Sequence, residues 1–121
     1  MKDCLFCKIV DNEIPSYILY EDDYFKVFLD INPDSLGHTL IVPKKHIVNA
    51  LDIEDEIFIK INKIIKLIIK KINNNFSPDG FKILQNNGIV QDIKHYHVHI
   101  IPVYKTPPIM NIEDVYNKLK I

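Results

Sequence analysis

The segment His95-Tyr96-His97-Val98-His99-Ile100-Ile101 is the part of this sequence that decides its fold. Histidine alternates there with an aromatic or apolar residue, and the segment holds three of the chain's five histidines. Successive side chains of a β-strand point to opposite faces, so the alternation predicts a strand over 95–103 with three imidazoles on one face. Burying three imidazoles for packing alone would cost desolvation without a gain. The pattern therefore indicates a functional site.

Two cysteines near the start of the chain, Cys4 and Cys7, are candidate metal ligands. A tetrahedral zinc site takes four nitrogen or sulfur ligands, and His46 with one end of the histidine segment would complete it. One small ion does not easily hold both ends, because His95 and His99 would lie about 13 Å apart along a strand. A thioredoxin-like redox role is disfavoured, since no βαβ unit surrounds the Cys-x-x-Cys pair.

If a metal takes His95, then His97 is left at the centre of the segment beside His99. A neutral imidazole, with an ordinary pKa of about 6.5, is a competent nucleophile at neutral pH. Attack on phosphorus would give a phosphoryl-histidine that water then hydrolyses, while His99 holds a phosphate oxygen or protonates the leaving group. The chain contains no arginine, so imidazoles and backbone amides must recognise the phosphate.

Length and charge exclude several other classes of protein. The 121 residues fit a single domain, 1–121, and 47% of them are hydrophobic. A formal net charge of −1 argues against a sequence-independent nucleic-acid binder, which needs a basic surplus. The apolar stretch 57–72 is interrupted by lysines and is not expected to span a membrane. No signal peptide is recognised, so we expect a cytoplasmic protein with reduced cysteines.

The hydrophobic pattern predicts an α+β domain with a mostly antiparallel sheet. Strands are predicted at 17–20, 25–30, 38–42, 81–85 and 95–103. Apolar residues recur at helical spacing over 53–73, where Asp52 is the expected N-cap. A short last helix is expected to begin at Asn111, and residues 1–15 are expected to form a compact arm that ends at Ile14-Pro15.

Several motifs together resemble the histidine triad (HIT) superfamily of nucleotide hydrolases and transferases, and the Cys-x-x-Cys arm makes the chain Hint-like. The segment 95–101 matches the family's signature, in which three histidines alternate with hydrophobic residues. The resemblance extends from Asp3 to about Val103. Three further stretches carry it: Cys4-Leu5-Phe6-Cys7-Lys8-Ile9 with Ile14-Pro15; Phe28-Leu29-Asp30-Ile31-Asn32-Pro33; and Gly37-His38-Thr39-Leu40-Ile41-Val42-Pro43-Lys44-Lys45-His46.

The resemblance implies roles for residues at matching positions. His97 would be the nucleophile that accepts the nucleoside monophosphate, His99 would contact the phosphate and leaving group, and His38 would support the cluster. Asp30 would bind the ribose hydroxyls, and Asn86 the region of the scissile phosphate. The other implied positions are the base pocket, Phe6, Ile9, Phe28 and Ile31; the loop residue Asp92 near the phosphate; and the zinc ligands Cys4, Cys7, His46 and His95.

The implied fold is a five-stranded antiparallel sheet with one long and one or two short helices. It would dimerise into a ten-stranded sheet through the wide apolar face of the helix over 57–72. The implied substrate is a purine nucleotide or nucleotide conjugate, cleaved at the α-phosphate through a nucleotidyl-His97 intermediate, with one structural zinc ion per chain. A nucleoside phosphoramidase is the preferred hypothesis. The alternatives are a dinucleoside polyphosphate hydrolase, a non-catalytic nucleotide-binding or scaffold protein, and a zinc-stabilised interaction module.

Each implied site residue also has an ordinary structural interpretation. Asp30 could simply start the turn before Pro33, and Asn86-Asn87-Gly88 could be a plain turn. The apolar residues of the base pocket could be ordinary core. His46, which follows two lysines, could be a solvated surface histidine.

Two departures from the family pattern bear on substrate choice. The loop over 88–94 is shorter than the family's common loop, and Asp92 stands where many relatives place Ser, Thr or Glu. From Tyr104 onward the chain does not match the tryptophan-containing tail of the animal Hint branch. The preferred leaving group therefore does not transfer from the resemblance.

Overall fold

Five strands and three helices are found in the computed structural model, which describes residues 3–121. In chain order they are α1 (Leu5–Val10), β1 (Ile18–Glu21), β2 (Phe25–Leu29), β3 (Thr39–Pro43), α2 (Asp55–Phe76), β4 (Gly80–Gln85), β5 (Val98–Val103) and α3 (Ile112–Leu119), with a 3₁₀ turn at Gly88–Val90. The strands form a sheet in the order β1-β2-β3-β5-β4, and every neighbouring pair is antiparallel. This confirms the predicted α+β class and five-stranded sheet. Residues 1 and 2 of the predicted arm lie outside the described residues.

One face of the sheet packs against α2 and α3. Side chains at alternate positions of the central strands, such as Val27, Ile41 and Ile100, are fully buried there with Ile68 of α2 and Leu119 of α3. The isoleucines that recur at helical spacing along α2 thus supply the core, as their periodicity predicts. The lysines of α2 lie away from this face.

The opposite face of the sheet carries a smaller apolar cluster and the site. Phe28, Leu40 and Val42 pack there against Phe6 and Ile9 of the short helix α1. Leu40 is also the register partner of a β5 histidine, and directly opposed residues of an antiparallel pair project to the same face. The arm and the histidines therefore meet on this side of the sheet.

Helix α2 begins and ends later than predicted. Its N-cap is Glu54, without a side-chain capping bond, and Asp52 instead donates its N–H to the Asn49 carbonyl in the preceding turn. The helix continues past its predicted end to Phe76, which packs against the large core, and Ser77 then adopts a left-handed conformation. Asparagine is a weak helix former, so the packing of Phe76 explains the extension. No described helix is both long and apolar enough to cross a membrane.

Strand β5 begins at Val98 rather than at His95. The neighbouring strand β3 ends at Pro43, which has no N–H, and the N–H of Tyr96 donates instead to the Ile47 carbonyl over 2.6 Å. The histidines nevertheless keep to one side, because Tyr96 between them remains in the large core. The predicted alternation of side chains therefore holds beyond the end of the ladder.

The last helix begins where the sequence predicts. Asn111 is its N-cap, and the Asn111 side chain accepts a hydrogen bond from the N–H of Asp114 over 2.8 Å. Its inner face buries Val115 and Leu119. The N-terminal arm, predicted only as compact, contains the helix α1, whose single full turn is capped by Cys4.

Candidate functional site

Four sulfur and nitrogen ligands meet at the start of α1. Cys4 is the N-cap of α1 and Cys7 lies one turn later, so both thiols lie at the N-terminal end of this helix. Cys4 Sγ lies 3.4 Å from Nδ1 of His95, and Cys7 Sγ lies 3.2 Å from Nδ1 of His46. All four ligand atoms lie within 4.8 Å of one another. The structure therefore brings together the four predicted metal ligands.

The chemistry of this group fits a tetrahedral divalent metal. Two sulfurs and two imidazole nitrogens are a ligand set that zinc prefers. His95 Nε2 lies 2.7 Å from the Pro43 carbonyl and donates to it, which leaves the Nδ1 lone pair facing the thiols. Burial, then the neighbouring Cys4, raises the pKa of Cys7 to about 11, so a cation is needed to hold it as a thiolate.

His97 presents a lone pair to the cavity beside this cluster. It is almost fully buried, and its Nδ1 lies 2.8 Å from the carbonyl oxygen of His95. A carbonyl can only accept, so Nδ1 carries the proton and Nε2 is left unprotonated. Burial lowers the pKa of His97, which favours this neutral ring. The Phe6 ring packs edge-on against the imidazole, with 4.9 Å between ring centroids.

His99 carries its ring proton on Nε2, whereas His97 carries it on Nδ1. The backbone N–H of Asp34 donates to Nδ1 of His38 over 3.0 Å, so the proton of neutral His38 lies on Nε2. This N–H donates to Nδ1 of His99 over 2.9 Å, which leaves the His99 proton on Nε2. Burial, then His97 and His38, lowers the pKa of His99 to about 4. His99 is therefore a neutral hydrogen-bond donor.

Asp30, His38 and His99 also lie close enough together to resemble a metal site, with ligand atoms within 4.8 Å. The Asp34 N–H keeps His38 Nε2 protonated, and a protonated nitrogen does not ligate a metal. Asp30 Oδ2 lies 3.6 Å from this same Nε2. We therefore interpret the group as a hydrogen-bond relay that orients His99.

The loop over 34–38, which supplies the amide of this relay, is held by the end of β5. The Ser35 hydroxyl donates to the Pro102 carbonyl, and the Tyr104 hydroxyl donates to the Leu36 carbonyl over 2.8 Å. Sequence reasoning missed these contacts. A backbone donor leaves no trace in residue type, and Tyr104 lies beyond the region where the resemblance ends.

A cavity of about 570 Å³ opens beside the histidines, on the arm side of the sheet. It is lined by every predicted catalytic and substrate-binding residue: His38, His97, His99, Asp30, Ile31, Phe6, Ile9, Phe28, Asn86 and Asp92. The four metal ligands do not line it. The sequence therefore predicted which residues the fold would gather here.

The structure also bears on the ordinary interpretations of these residues. Asp30 does form a turn, because its Oδ1 accepts the N–H of Asn32, but its other oxygen is directed to His38. Phe6 and Phe28 are both core and cavity wall, whereas Ile31 is 70% exposed at the rim. His46 is not a solvated surface residue, since it is half-buried against Cys7.

The cavity carries negative charge and no cation of its own. Asp30, Asp34 and Asp92 line it, and the described lining contains neither lysine nor arginine. The donors that this lining can offer are therefore neutral groups, such as imidazole N–H groups, backbone amides and the side-chain amide of Asn86. A ligand with many negative charges would be repelled by the three carboxylates.

Comparison with known proteins identifies the family. The sequence model of the HIT domain matches residues 11–106. The chain is 42% identical over 105 residues to protein hit of Bacillus subtilis, covering 85% of this chain and 72% of that protein. It is 43% identical over 101 residues to an adenosine 5'-monophosphoramidase of Saccharomyces cerevisiae, covering 82% of this chain and 61% of the yeast protein.

Solved structures agree with these sequence matches. A Hit-like protein from Bartonella henselae superposes with a TM-score of 0.89 at 35% identity, covering 99% of this chain and 96% of that one. A Zn-bound histidine triad family protein from Mycobacterium smegmatis gives a TM-score of 0.89 at 29% identity, covering 98% and 91%. The chain therefore belongs to the histidine triad (HIT) family.

Proposed function

We propose that this protein is a nucleotide hydrolase or nucleotidyl transferase that acts at the α-phosphate of purine nucleotides. The observation that carries the proposal is the pair of opposed tautomers in the cavity. His97 offers an unprotonated Nε2, and His99 beside it offers an N–H, with 4.8 Å between the ring centroids. A nucleophile next to a donor for phosphate oxygen is the arrangement that phosphoryl transfer needs.

The reaction would proceed in two steps. The Nε2 lone pair of His97 attacks phosphorus, the P–N bond to the leaving group breaks, and the leaving nitrogen takes up a proton from solvent and departs as an amine. Water then attacks phosphorus, the bond to Nε2 breaks, and the nucleoside monophosphate leaves as the proton is returned to solvent. The His95 carbonyl accepts from Nδ1 throughout and stabilises the charge that develops on the ring. The His99 N–H donates to a phosphate oxygen.

The other cavity residues would orient the nucleotide. The Asp30 carboxylate can accept hydrogen bonds from two ribose hydroxyls. Phe6, Ile9, Phe28 and Ile31 form an apolar wall at the same end, which suits a purine base. Asn86 and Asp92 also line the cavity, where the Asn86 side chain could donate to a phosphate oxygen.

A phosphoramidase is favoured over a dinucleoside polyphosphate hydrolase. A polyphosphate leaving group would bring several negative charges to a cavity with three carboxylates and no lining cation, whereas an amine would bring none. Relatives in Saccharomyces cerevisiae and Schizosaccharomyces pombe, 43% and 41% identical, bear the name adenosine 5'-monophosphoramidase. The polyphosphate hydrolase and the non-catalytic nucleotide-binding protein are the alternatives that experiment must separate.

We further propose one structural zinc ion per chain, held by Cys4, Cys7, His46 and His95. Zinc would supply the positive charge that keeps the two thiols ionised. The Zn-bound relative from Mycobacterium smegmatis supports this proposal. We also propose a cytoplasmic location and a homodimer with a ten-stranded sheet. In this dimer, the two copies would join along the outer edge of β4 and the neighbouring face of α2.

The test is hydrolysis of an adenosine phosphoramidate, with diadenosine tetraphosphate in parallel, by the wild type and by His97→Ala. We expect phosphoramidate turnover by the wild type and a loss of at least about 1000-fold in kcat/KM for the variant. Mass spectrometry of wild type quenched in alkaline denaturant, which preserves the acid-labile P–N bond, should show an adenylyl adduct on the peptide that contains His97. Faster turnover of the tetraphosphate would favour the polyphosphate hydrolase.

Calorimetric titration with AMP separates an enzyme from a binding protein. Folded His97→Ala should still bind AMP, because Asp30 and the apolar wall remain. A zinc-loaded wild type that binds AMP but turns over neither substrate would refute the enzyme and support the nucleotide-binding protein. Failure of AMP to bind the wild type would refute both.

A further inference from the structure

A lysine lies buried inside the sheet, where a charge is costly. Lys26 is the second residue of the otherwise apolar strand β2 and is only 1% exposed. The strand's alternation puts Lys26 on the same side as Phe28, facing α1, while Phe25 and Val27 face the large core. A buried ammonium persists only where oxygen atoms take up all of its hydrogen bonds.

The partners of Lys26 all belong to the end of α1 and the turn after it. Its Nζ donates to the carbonyls of Ile9 and Val10 over 3.1 and 3.3 Å, and to Oδ1 of Asn12 over 2.6 Å. The three N–H groups of the ammonium therefore match three acceptors. The carbonyls at the end of a helix have no partner within it, and the helix dipole favours a cation there.

Helix α1 depends on such contacts, because six residues are too few to form a stable helix alone. It carries two separate parts of the site. Its first turn provides Cys4 and Cys7 to the metal cluster, and its inner face provides Phe6 and Ile9 to the cavity. A shift of its last turn would move both parts relative to the sheet.

We propose that Lys26 is a positioning residue that locks α1 onto the sheet and so sets the nucleoside pocket and the cysteine pair together. It touches neither the nucleotide nor the metal in this role. The part of the inference that concerns the nucleotide rests on the proposed function. Glu21 is a poor alternative explanation for the buried charge, because it lies 3.9 Å from Lys26 and pairs more closely, at 2.8 Å, with Lys44.

The variant Lys26→Met tests this, since it keeps the length of the side chain and removes the three donors. We expect the amides of residues 8–14 to exchange with deuterium at least about tenfold faster, and zinc to be lost to a chelator faster by a similar factor. The Kd for AMP and the KM should rise about tenfold, while kcat stays within about twofold. Such a split indicates lost positioning rather than lost chemistry.

Two further variants control the experiment. Asn12→Gly removes one acceptor without backbone strain, because Asn12 has a φ of 61°, and should give smaller changes in the same direction. Added to Lys26→Met, it should change little more, since the bond is already lost. Glu21→Gln removes a nearby charge but no contact to α1, and should exchange and bind like the wild type.

The outcomes are distinguishable. Unchanged amide exchange over 8–14 in folded Lys26→Met would overturn the positioning role, whatever the activity of the protein. If Lys26→Met does not fold, Asn12→Gly with wild-type exchange and AMP affinity would overturn it as well. A wild type that does not bind AMP would refute the proposed function, while faster exchange and zinc loss in the variant would still support the locking of α1.

Discussion

At the level of single residues, two histidines on one side of a sheet hold their protons on opposite ring nitrogens. A backbone carbonyl fixes the proton of His97 on Nδ1, and a donor from His38 fixes that of His99 on Nε2. Both residues are histidines, so their hydrogen-bond partners alone make His97 a lone-pair donor and His99 a hydrogen-bond donor. Burial lowers the pKa of both rings and keeps them neutral in this arrangement.

The pKa of His99 predicts how activity falls in acid. Burial, His97 and His38 lower this pKa from the ordinary 6.5 to about 4, against the opposing charges of Asp30 and Asp34. The neutral ring therefore persists as the pH falls through 6.5 and takes up a proton only near 4. Burial also lowers the pKa of His97 below the ordinary 6.5, and protonation of His97 would remove the lone pair that attacks phosphorus. We expect kcat/KM to stay level through pH 6.5 and to fall toward pH 4, in a pH–rate profile with circular dichroism as the check on folding.

The variant Asp30→Asn provides the control for this profile. The Asp30 carboxylate raises the pKa of both His38 and His99. Replacing it with an amide should therefore move the acid limb of the pH–rate profile to lower pH and also lower the affinity for the nucleotide. A limb centred at pH 6.5 in the wild type would contradict the assignment. So would a limb that Asp30→Asn moves to higher pH.

At the level of elements, the sequence predicted what local periodicity controls. The isoleucine repeat of α2 and the alternation around His97 follow directly from helix and strand geometry, and the structure confirms both elements. The cap at Asn111 is likewise a local hydrogen bond. The residues themselves grouped Cys4, Cys7 and His46 as candidate metal ligands with one end of the histidine segment, and only the resemblance chose His95 as the fourth.

Contacts between distant segments set the features that the sequence did not predict. The start of β5 depends on Pro43 and Ile47 of another segment, which determine where the ladder of hydrogen bonds ends. A lysine in a strand is ordinarily expected on a solvent-facing side, but α1 packs over Lys26 and buries it. The signal for its burial was present, since it interrupts an otherwise apolar run, but its partners are backbone carbonyls that no residue pattern reveals.

The proposed role of Cys4 as a metal ligand leads to a prediction for Cys4→Ser. The Cys4 sulfur accepts the N–H of Cys7, and a serine oxygen is an equally good cap, so the substitution removes a metal ligand and keeps the helix start. We expect the zinc content to fall and the Tm to drop by on the order of 10 °C, with activity retained in proportion to folded protein. Elemental analysis and calorimetry measure these quantities.

The wild type treated with a chelator should show the same loss of thermal stability as Cys4→Ser. Chelator should then have little further effect on the variant. Equal zinc content in the variant and the wild type would contradict the assignment of Cys4 as a ligand.

At the level of the whole molecule, an apolar groove predicts how two copies associate. Phe58 and Ile59 of α2 and Ile83 of β4 are each at least 39% exposed and line a cavity of about 290 Å³. Tyr96 also lines it, and the buried Tyr96 hydroxyl has no hydrogen-bond partner among residues 3–121. The groove is lined partly by β4, which is an edge strand of the sheet that residues 3–121 form. We expect the wild type to sediment as a dimer of the 14.2 kDa chain.

The variant Ile83→Lys tests this mode of association. A lysine on an edge strand opposes strand pairing, so we expect sedimentation at micromolar concentration to show mainly monomer. Leu67→Lys is the matched control, because Leu67 has similar exposure but lies on the opposite flank of α2, near Tyr24. A monomeric wild type, or a dimer that Ile83→Lys leaves intact, would contradict the proposed interface.

The two edges of the sheet are unequal, and this limits the number of copies that can join. The outer edge of β1 is engaged by the chain itself, because the N–H of Ile121 donates to the Leu19 carbonyl over 2.8 Å and Tyr116 packs on Tyr17. Among the described residues, β4 alone keeps its outer edge unpaired along its length. When two copies pair edge to edge, the outer edge of β4 is used in both copies. In the proposed dimer no second β4 edge remains for a third copy.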